Sequence, residues 1–297
     1  MSKKFRSGFV SIIGRPNVGK STLLNQIMGE KLLIISNKPQ TTRNTIRCIY
    51  TQPDFQMIFI DTPGIHKPKN KLGDYMVEAT KHTLNEVDVI LFLVDESLYL
   101  GPGDQYIFNI LKEVKTPVIL VINKVDLLGK DELLEKISIY KDIEGIDEIV
   151  PVSAQNGENI QKLIQVITSK LPEGPKYFPD DMVIDQPERQ IIAELVREKA
   201  LQLLEQEVPH GIATEVISMR ERDNRDLLDI DVNIYCEKST HKGIIIGKQG
   251  RMLKEIGKRA RLDIENLLGS KVNLQLWVKV RADWRNKSRE LKDLGYQ

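Results

Sequence analysis

Phe9-Val10-Ser11-Ile12-Ile13-Gly14-Arg15-Pro16-Asn17-Val18-Gly19-Lys20-Ser21-Thr22-Leu23-Leu24 decides the fold of this 297-residue chain. The first five residues form an apolar run of the length expected for a buried strand. Gly14 to Ser21 match G-x-x-x-x-G-K-[ST], and Lys20 to Met28 reads as a helix. Glycines let such a loop turn tightly with successive backbone N–H groups aimed inward. The helix that follows adds the positive end of its dipole, and together they cradle a di- or triphosphate. Lys20 is expected to reach the β- and γ-phosphates and Ser21 to hold a magnesium ion. Gly14, Arg15, Pro16, Asn17, Val18, Gly19 and Thr22 complete the expected cradle.

Outward from this loop, residues 5–170 keep alternating short apolar runs with helical patterns. Strands are expected at 9–13, 45–50, 57–61, 89–95, 118–123 and 149–152, and helices at 20–28, 74–87, 104–112, 131–140 and 159–169. This alternation predicts an α/β fold, a doubly wound and mostly parallel sheet with helices on both faces. Ligands of such sheets bind at the carboxyl ends of the strands. Residues 171–187 carry four prolines and little periodicity. The chain is therefore divided into a nucleotide-binding domain at 1–172, a linker at 173–187 and a second domain at 188–297. The second domain reads helix 188–204, strands 214–219 and 228–236, a polar turn at 221–226, a short helix 242–246, a turn 247–250, a helix 251–268, a strand 272–280 and a helical tail.

Further motifs follow in order, each at an expected strand end. Asp61-Thr62-Pro63-Gly64 supplies an Asp that can hold magnesium through water and a Gly whose N–H can reach a γ-phosphate. Asn123-Lys124-Val125-Asp126 supplies a carboxylate that can accept from both N1–H and the N2 amine of guanine. Adenine offers neither donor, a mismatch worth about a thousandfold in affinity. Ser153-Ala154 is small enough for a backbone N–H to approach guanine O6. Between the phosphate loop and the Asp61 turn lies Gln40-Thr41-Thr42-Arg43-Asn44. A nucleotide switch needs a Thr on a loop that closes over magnesium and the γ-phosphate. Thr42 is the expected residue, with Thr41 the alternative. Magnesium is thus assigned to Ser21, Thr42 and Asp61, and the catalytic contribution to Lys20, Thr42 and the Gly64 N–H. No glutamine follows the Asp61 turn to orient water; Ile65 stands there, so hydrolysis is expected to be slow and electrostatic.

The formal net charge of +1 excludes nothing by itself, because the charge is segregated. Residues 180–237 hold 6 basic against 15 acidic residues, and residues 238–297 hold 15 basic against 6 acidic. The basic segment contains Lys242-Gly243-Ile244-Ile245-Ile246-Gly247-Lys248-Gln249-Gly250-Arg251, a G-x-x-G turn with a basic residue inside it, between two helical stretches. It resembles a K-homology domain, in which such a turn clamps about four nucleotides of single-stranded RNA. Ile244, Ile245 and Ile246 are expected to pack the first helix and wall an apolar groove. Lys254 and Lys258, with Arg251, Arg259 and Arg261, add charge to the second helix. Trp284 in the basic tail is expected to anchor packing. The two cysteines, Cys48 and Cys236, fall in separate strands and read as buried thiols of a reducing cytoplasm. No apolar run reaches the length of a bilayer span.

On the Pro16 and Asn17 phosphate loop, the Gln-Thr-Thr-Arg loop and Asp61-Thr62-Pro63-Gly64-Ile65-His66, the chain resembles the Era-like group of bacterial GTPases over its full length. The resemblance implies GTP hydrolysis to GDP and phosphate. It implies an RNA partner at the 3′ end of 16S ribosomal RNA and a part in assembling the 30S subunit. A cytoplasmic monomer follows from it, with peripheral contact to the anionic inner face of the membrane. It also implies that Asn17 helps hold a potassium ion beside the phosphates. Two relatives of the same core compare poorly. A tRNA-modifying GTPase would want a cofactor domain and a reactive tail cysteine, and a membrane-remodelling GTPase would want long helical stalks.

Overall fold

The computed structural model describes residues 4–36, 38, 41–64, 70–141, 143–222 and 227–296. They form two compact units: Met1–Leu33, Thr42–Pro68 and Gly73–Asp185 make the first, and Ile34–Thr41, Lys69–Leu72 and Gln186–Gln297 the second.

The first unit is built on strands β1 (Arg6–Gly14), β2 (Ile46–Gln52), β3 (Phe55–Asp61), β4 (Val89–Val94), β5 (Val118–Ile122) and β6 (Glu148–Pro151). Its helices are α1 (Lys20–Met28), α2 (Lys71–Leu84), α3 (Pro102–Leu111), α4 (Lys130–Lys141) and α5 (Ile160–Lys170). The sheet order is β2-β3-β1-β4-β5-β6, with only β2 antiparallel to its neighbour. β4 shows why the strands read as unbroken apolar runs. Val89, Leu91 and Leu93 join one core with Leu23, Leu24, Leu163 and Ile167, while Ile90, Phe92 and Val94 join another with Phe108 and Tyr140. A strand covered by helices on both faces has no position free for a polar side chain. The parallel register aligns Ile12 with Asp61 and Ile122 with Pro151, so the loops after β1, β3, β5 and β6 emerge at one end.

Residues 173–185 of the segment read as a linker belong to this unit. Glu173 bridges Arg6 and Ile184 bridges Cys48, Ser7 Oγ donates to the Pro175 carbonyl at 2.6 Å, and the Tyr177 ring lies 5.2 Å from Phe9. Its prolines prevent regular structure, yet several of its backbone groups pair with the first unit: Ile49 N donates to the Val183 carbonyl at 2.9 Å and Asp185 N to the Arg47 carbonyl at 3.0 Å.

The second unit comprises α6 (Glu188–Leu203), β7 (Ala213–Glu221), β8 (Leu227–Cys236), α7 (Ser239–Ile246), α8 (Arg251–Leu268), β9 (Lys271–Val280) and α9 (Ser288–Asp293). β8 is central, antiparallel to β7 and parallel to β9. The turn expected at 221–226 has Asp223 to Asp226 outside the described residues. Trp284 is fully buried, donates to the Gly211 carbonyl at 2.9 Å and stacks on Tyr296 at 5.8 Å. Both cysteines are free and buried.

Candidate functional site

The loop between β1 and α1 folds back over its own lysine. Lys20 is buried, and its ammonium donates to the carbonyls of Gly14 at 3.2 Å and Arg15 at 3.1 Å. Beside it three side chains converge from three elements. Thr42 Oγ1 donates to Asp61 Oδ2 at 3.0 Å, and Ser21 Oγ lies 3.4 Å from both groups. The threonine pair is thereby separated by geometry. Thr42 enters the site, whereas the Thr41 hydroxyl donates to the Lys38 carbonyl at 2.7 Å. Asp61 is wholly buried, and its Oδ1 accepts no hydrogen bond. Burial pushes its carboxyl up to about 6, against the opposing pull of Lys20, Thr42 and Ser21. Burial likewise brings Lys20 down to about 8, opposed by Asp61. A buried carboxylate with a spare oxygen and two hydroxyls beside it is a set of hard oxygen donors, the chemistry that suits a magnesium ion.

The corner expected to read the base lies at the ends of β5 and β6. Asn123 is 2% exposed; its Nδ2 donates to the Val18 carbonyl at 2.8 Å and its Oδ1 accepts from Ala154 N at 3.0 Å. One side chain thus ties the phosphate loop to both base-reading loops. The Ala154 amide, expected to reach guanine O6, is engaged by Asn123 in this arrangement because so buried an amide needs partners at both ends. Ser153 Oγ donates to Asp126 Oδ1 at 2.5 Å and accepts from Asn156 N, so Asp126 is aimed before any base arrives. Lys124 adopts a left-handed backbone (φ 64°) and pairs with Glu96 at 2.9 Å. Thr62 spends its hydroxyl on the Ile12 carbonyl at 2.7 Å, a fold contact. Arg15 directs its guanidinium to Asp95 and Asp104, which leaves its backbone as what it can offer a phosphate. Gln40, Ile65 and His66 lie outside the described residues.

In the second unit, the G-x-x-G turn joins α7 to α8. Lys242, Gly243 and Ile244 are helical as expected, and α7 starts three residues before the expected 242–246. Ile245 is fully buried and packs the core, so it is removed from any groove surface, whereas Ile244 is 51% exposed. Gly247 takes φ 72°, and a Cβ there would stand 2.7 Å from Met252 Cβ. Lys248, Gln249, Arg251, Lys254 and Lys258 are exposed. A groove of about 520 Å³ runs between α8 and β9, walled by Leu253, Leu274 and Leu276 and rimmed by Lys254, Lys258 and Arg261. Sequence spacing of three and four along α8 could have added Leu253 and Gly257 to the site beside Arg261. The β9 residues carried no such signal, since only strand order brings them beside α8. Arg259 turns to Glu255 at 2.7 Å.

A phosphate loop with a guanine-reading corner in one unit, and a basic G-x-x-G helix pair in the other, define a GTP-binding domain joined to a KH domain. Residues 9–124 match the 50S ribosome-binding GTPase family, and residues 207–285 match the KH domain. The chain is 60% identical to GTPase Era of Alkaliphilus metalliredigens (strain QYMF), covering 99% of both chains, and 59% identical to GTPase Era of Clostridioides difficile (strain 630), covering 98% of this chain and 99% of that one. Two solved structures superpose with a TM-score of 0.95 at 45% identity, covering 98% of this chain and 99% of theirs. One is Era in complex with MgGDPNP and nucleotides 1506–1542 of 16S ribosomal RNA; the other is a variant of Aquifex aeolicus Era bound to GDP and AlF4−. The chain belongs to the Era family of GTPases.

Proposed function

We propose that this protein is a GTP-hydrolysing switch that binds the 3′ region of 16S ribosomal RNA and assists assembly of the small ribosomal subunit. The observation that carries the reading is the convergence of Ser21, Thr42 and Asp61 beside buried Lys20, in a chain that also presents a basic G-x-x-G groove. Ser21, Thr42 and Asp61 are the residues that would hold Mg2+. When bound, Mg2+ neutralises charge on the phosphate oxygens. The chain's own residues do the rest. Lys20 exchanges its two loop carbonyls for phosphate oxygens. The Gly64 N–H and the loop amides stabilise charge as it develops, and Asn123, Asp126 and Ser153 fix the base. Ile65 can neither orient nor deprotonate water, so turnover is slow. A fixed cation held near Asn17, which has φ 68° in the loop, would raise it. Potassium and sodium buffers then give different rates, and Asn17→Asp abolishes the difference.

The RNA enters the groove between α8 and β9, where Leu253, Leu274 and Leu276 face the bases and Lys254, Lys258 and Arg261 face the backbone. Membrane contact through the tail has less to work with, because Arg281 and Arg285 are paired with Glu290 and Glu237. Among the described residues no helix is long and apolar enough to cross a membrane. The test is crosslinking in cell extract with wild type and Lys248→Ala/Lys254→Ala, together with single-turnover GTP hydrolysis. Loss of 16S rRNA crosslinks in the variant, with hydrolysis retained, is expected. Unchanged crosslinks would overturn the RNA assignment, and a wild type that hydrolyses no GTP would overturn the enzymatic one.

A further inference from the structure

Three consecutive residues after β4 gather cations from three other elements. Asp95 Oδ1 accepts from Arg15 Nη2 of the phosphate loop at 2.9 Å. Glu96 pairs with Lys124 of the guanine-reading loop at 2.9 Å. The Ser97 carbonyl accepts from the Lys136 ammonium of α4, itself 1% exposed. Arg15 is held a second time, its Nε donating to Asp104 Oδ1 at 2.8 Å at the start of α3.

Two features mark this as a built arrangement. Asp104 is 1% exposed, and an acid so deeply buried is costly unless it is paired with a cation. The stem of Arg15 crosses α3 at Gly103, where any Cβ would stand 2.7 Å from Arg15 Cδ. A guanidinium forked between two carboxylates fixes both distance and angle, which an ammonium cannot do. The phosphate loop and the guanine-reading loop are thus tethered to one short stretch of backbone, in addition to the Asn123 bridge.

We propose that Asp95-Glu96-Ser97, with Asp104, forms a bracket that sets the spacing between the phosphate loop and the base-reading loop, and that Arg15 is its positioning residue. A nucleotide must satisfy both loops at once. Loosening the bracket therefore weakens binding of the whole nucleotide by forfeiting preorganisation, while the groups around the reacting phosphate stay in place. The inference rests on the nucleotide-binding reading above.

The test is dissociation of fluorescent N-methylanthraniloyl GDP from the full chain, with GTP turnover beside it. Wild-type binding is the control; its absence would sink the nucleotide reading itself and would be distinguishable from failure of the bracket. Asp95→Asn should speed GDP release about tenfold and raise KM by a similar factor with kcat changed less than twofold. Arg15→Lys gives up the Asp104 fork as well and should release GDP at least as fast, and Arg15→Lys/Asp95→Asn should release it no faster than Arg15→Lys alone, since both substitutions break the Arg15–Asp95 contact. The melting temperature of each variant, taken without nucleotide, separates loss of fold from loss of spacing. If Arg15 were instead a phosphate ligand restrained by Asp95, then Asp95→Asn would leave nucleotide release unchanged or slow it. That result overturns the proposal, as does strict additivity of the two substitutions.

Discussion

Asp126, proposed above to read the base with its two oxygens, accepts at one of them from Ser153 at 2.5 Å. Asp126→Asn replaces one acceptor with a donor. GTP binding should weaken by about a thousandfold and xanthosine triphosphate, which presents an acceptor where guanine has an amine, should bind in its place. Competition of the two nucleotides against labelled GDP checks this. Ser153→Ala should cost about tenfold without changing the preference, because it removes aim and leaves chemistry. A second residue-scale expectation concerns Cys48. Burial pushes its thiol up to about 12, with the Asp61 charge adding to the rise. In the unfolded chain the thiol ionises near 9. Between these values the unfolded state holds fewer protons than the folded one, so this group's contribution to stability falls as pH rises. At pH 8 the native thiol should resist a disulfide reagent, and labelling of Cys48 should track global unfolding in denaturant. Rapid labelling of the folded protein would contradict its burial.

At the scale of elements, α8 combines two jobs on one helix. Ile256, Ala260 and Ile264 are buried, while Lys254, Lys258 and Arg261 are exposed along the groove. Lys254→Ala and Lys258→Ala should each weaken RNA binding and lower the slope of log affinity against log salt by about 0.7, the value for one single-strand phosphate contact. A titration from low to high salt measures it. Gly247→Asp is a harsher probe, because φ 72° and the nearness of Met252 strain the turn as well as repelling phosphate. Much of this was legible in the chain. The six strands of the first unit and the long helices of the second follow from apolar periodicity, and the order of nucleotide motifs follows from strand ends. What periodicity does not carry is partnership across the sheet. Nothing local to Arg15 points to Asp95 or Asp104; they meet because β4 lies beside β1. The proline-rich stretch at 173–187 reads only as a linker for a related reason. Its backbone bonds to strands more than a hundred residues earlier, and such pairing leaves no pattern in the segment itself.

For the whole molecule, one peptide bond joins two networks. Ile34–Thr41 belongs to the second unit. There Ile35 N donates to Glu198 Oε1 at 2.8 Å, Gln202 Nε2 donates to the Ile35 carbonyl at 3.2 Å, and the Arg197 guanidinium donates to the Thr41 carbonyl. Arg197 is wholly buried and Glu198 is 1% exposed, so their two bonds are partly shielded from water, whereas the Gln202 bond is exposed. The next residue, Thr42, belongs to the first unit and donates to Asp61. Under the switch proposed above, a γ-phosphate that draws on Thr42 would displace the residue next to the Thr41 carbonyl that Arg197 holds. Ligands shift such an equilibrium only by their difference in affinity for its two states, and the coupling is reciprocal. A 16S 3′-terminal RNA should bind the GTP-analogue form about 5- to 150-fold more tightly than the GDP form, with the RNA favouring the analogue over GDP by the same factor. Gln202→Ala and Arg197→Lys loosen the hold on Ile34–Thr41 without touching the nucleotide or the RNA groove. They should move the ratio toward one while GDP affinity stays near the wild-type value. Fluorescence anisotropy of the RNA in the two nucleotide states measures the ratio, and a wild-type ratio kept by both variants would show that coupling does not pass through Thr41.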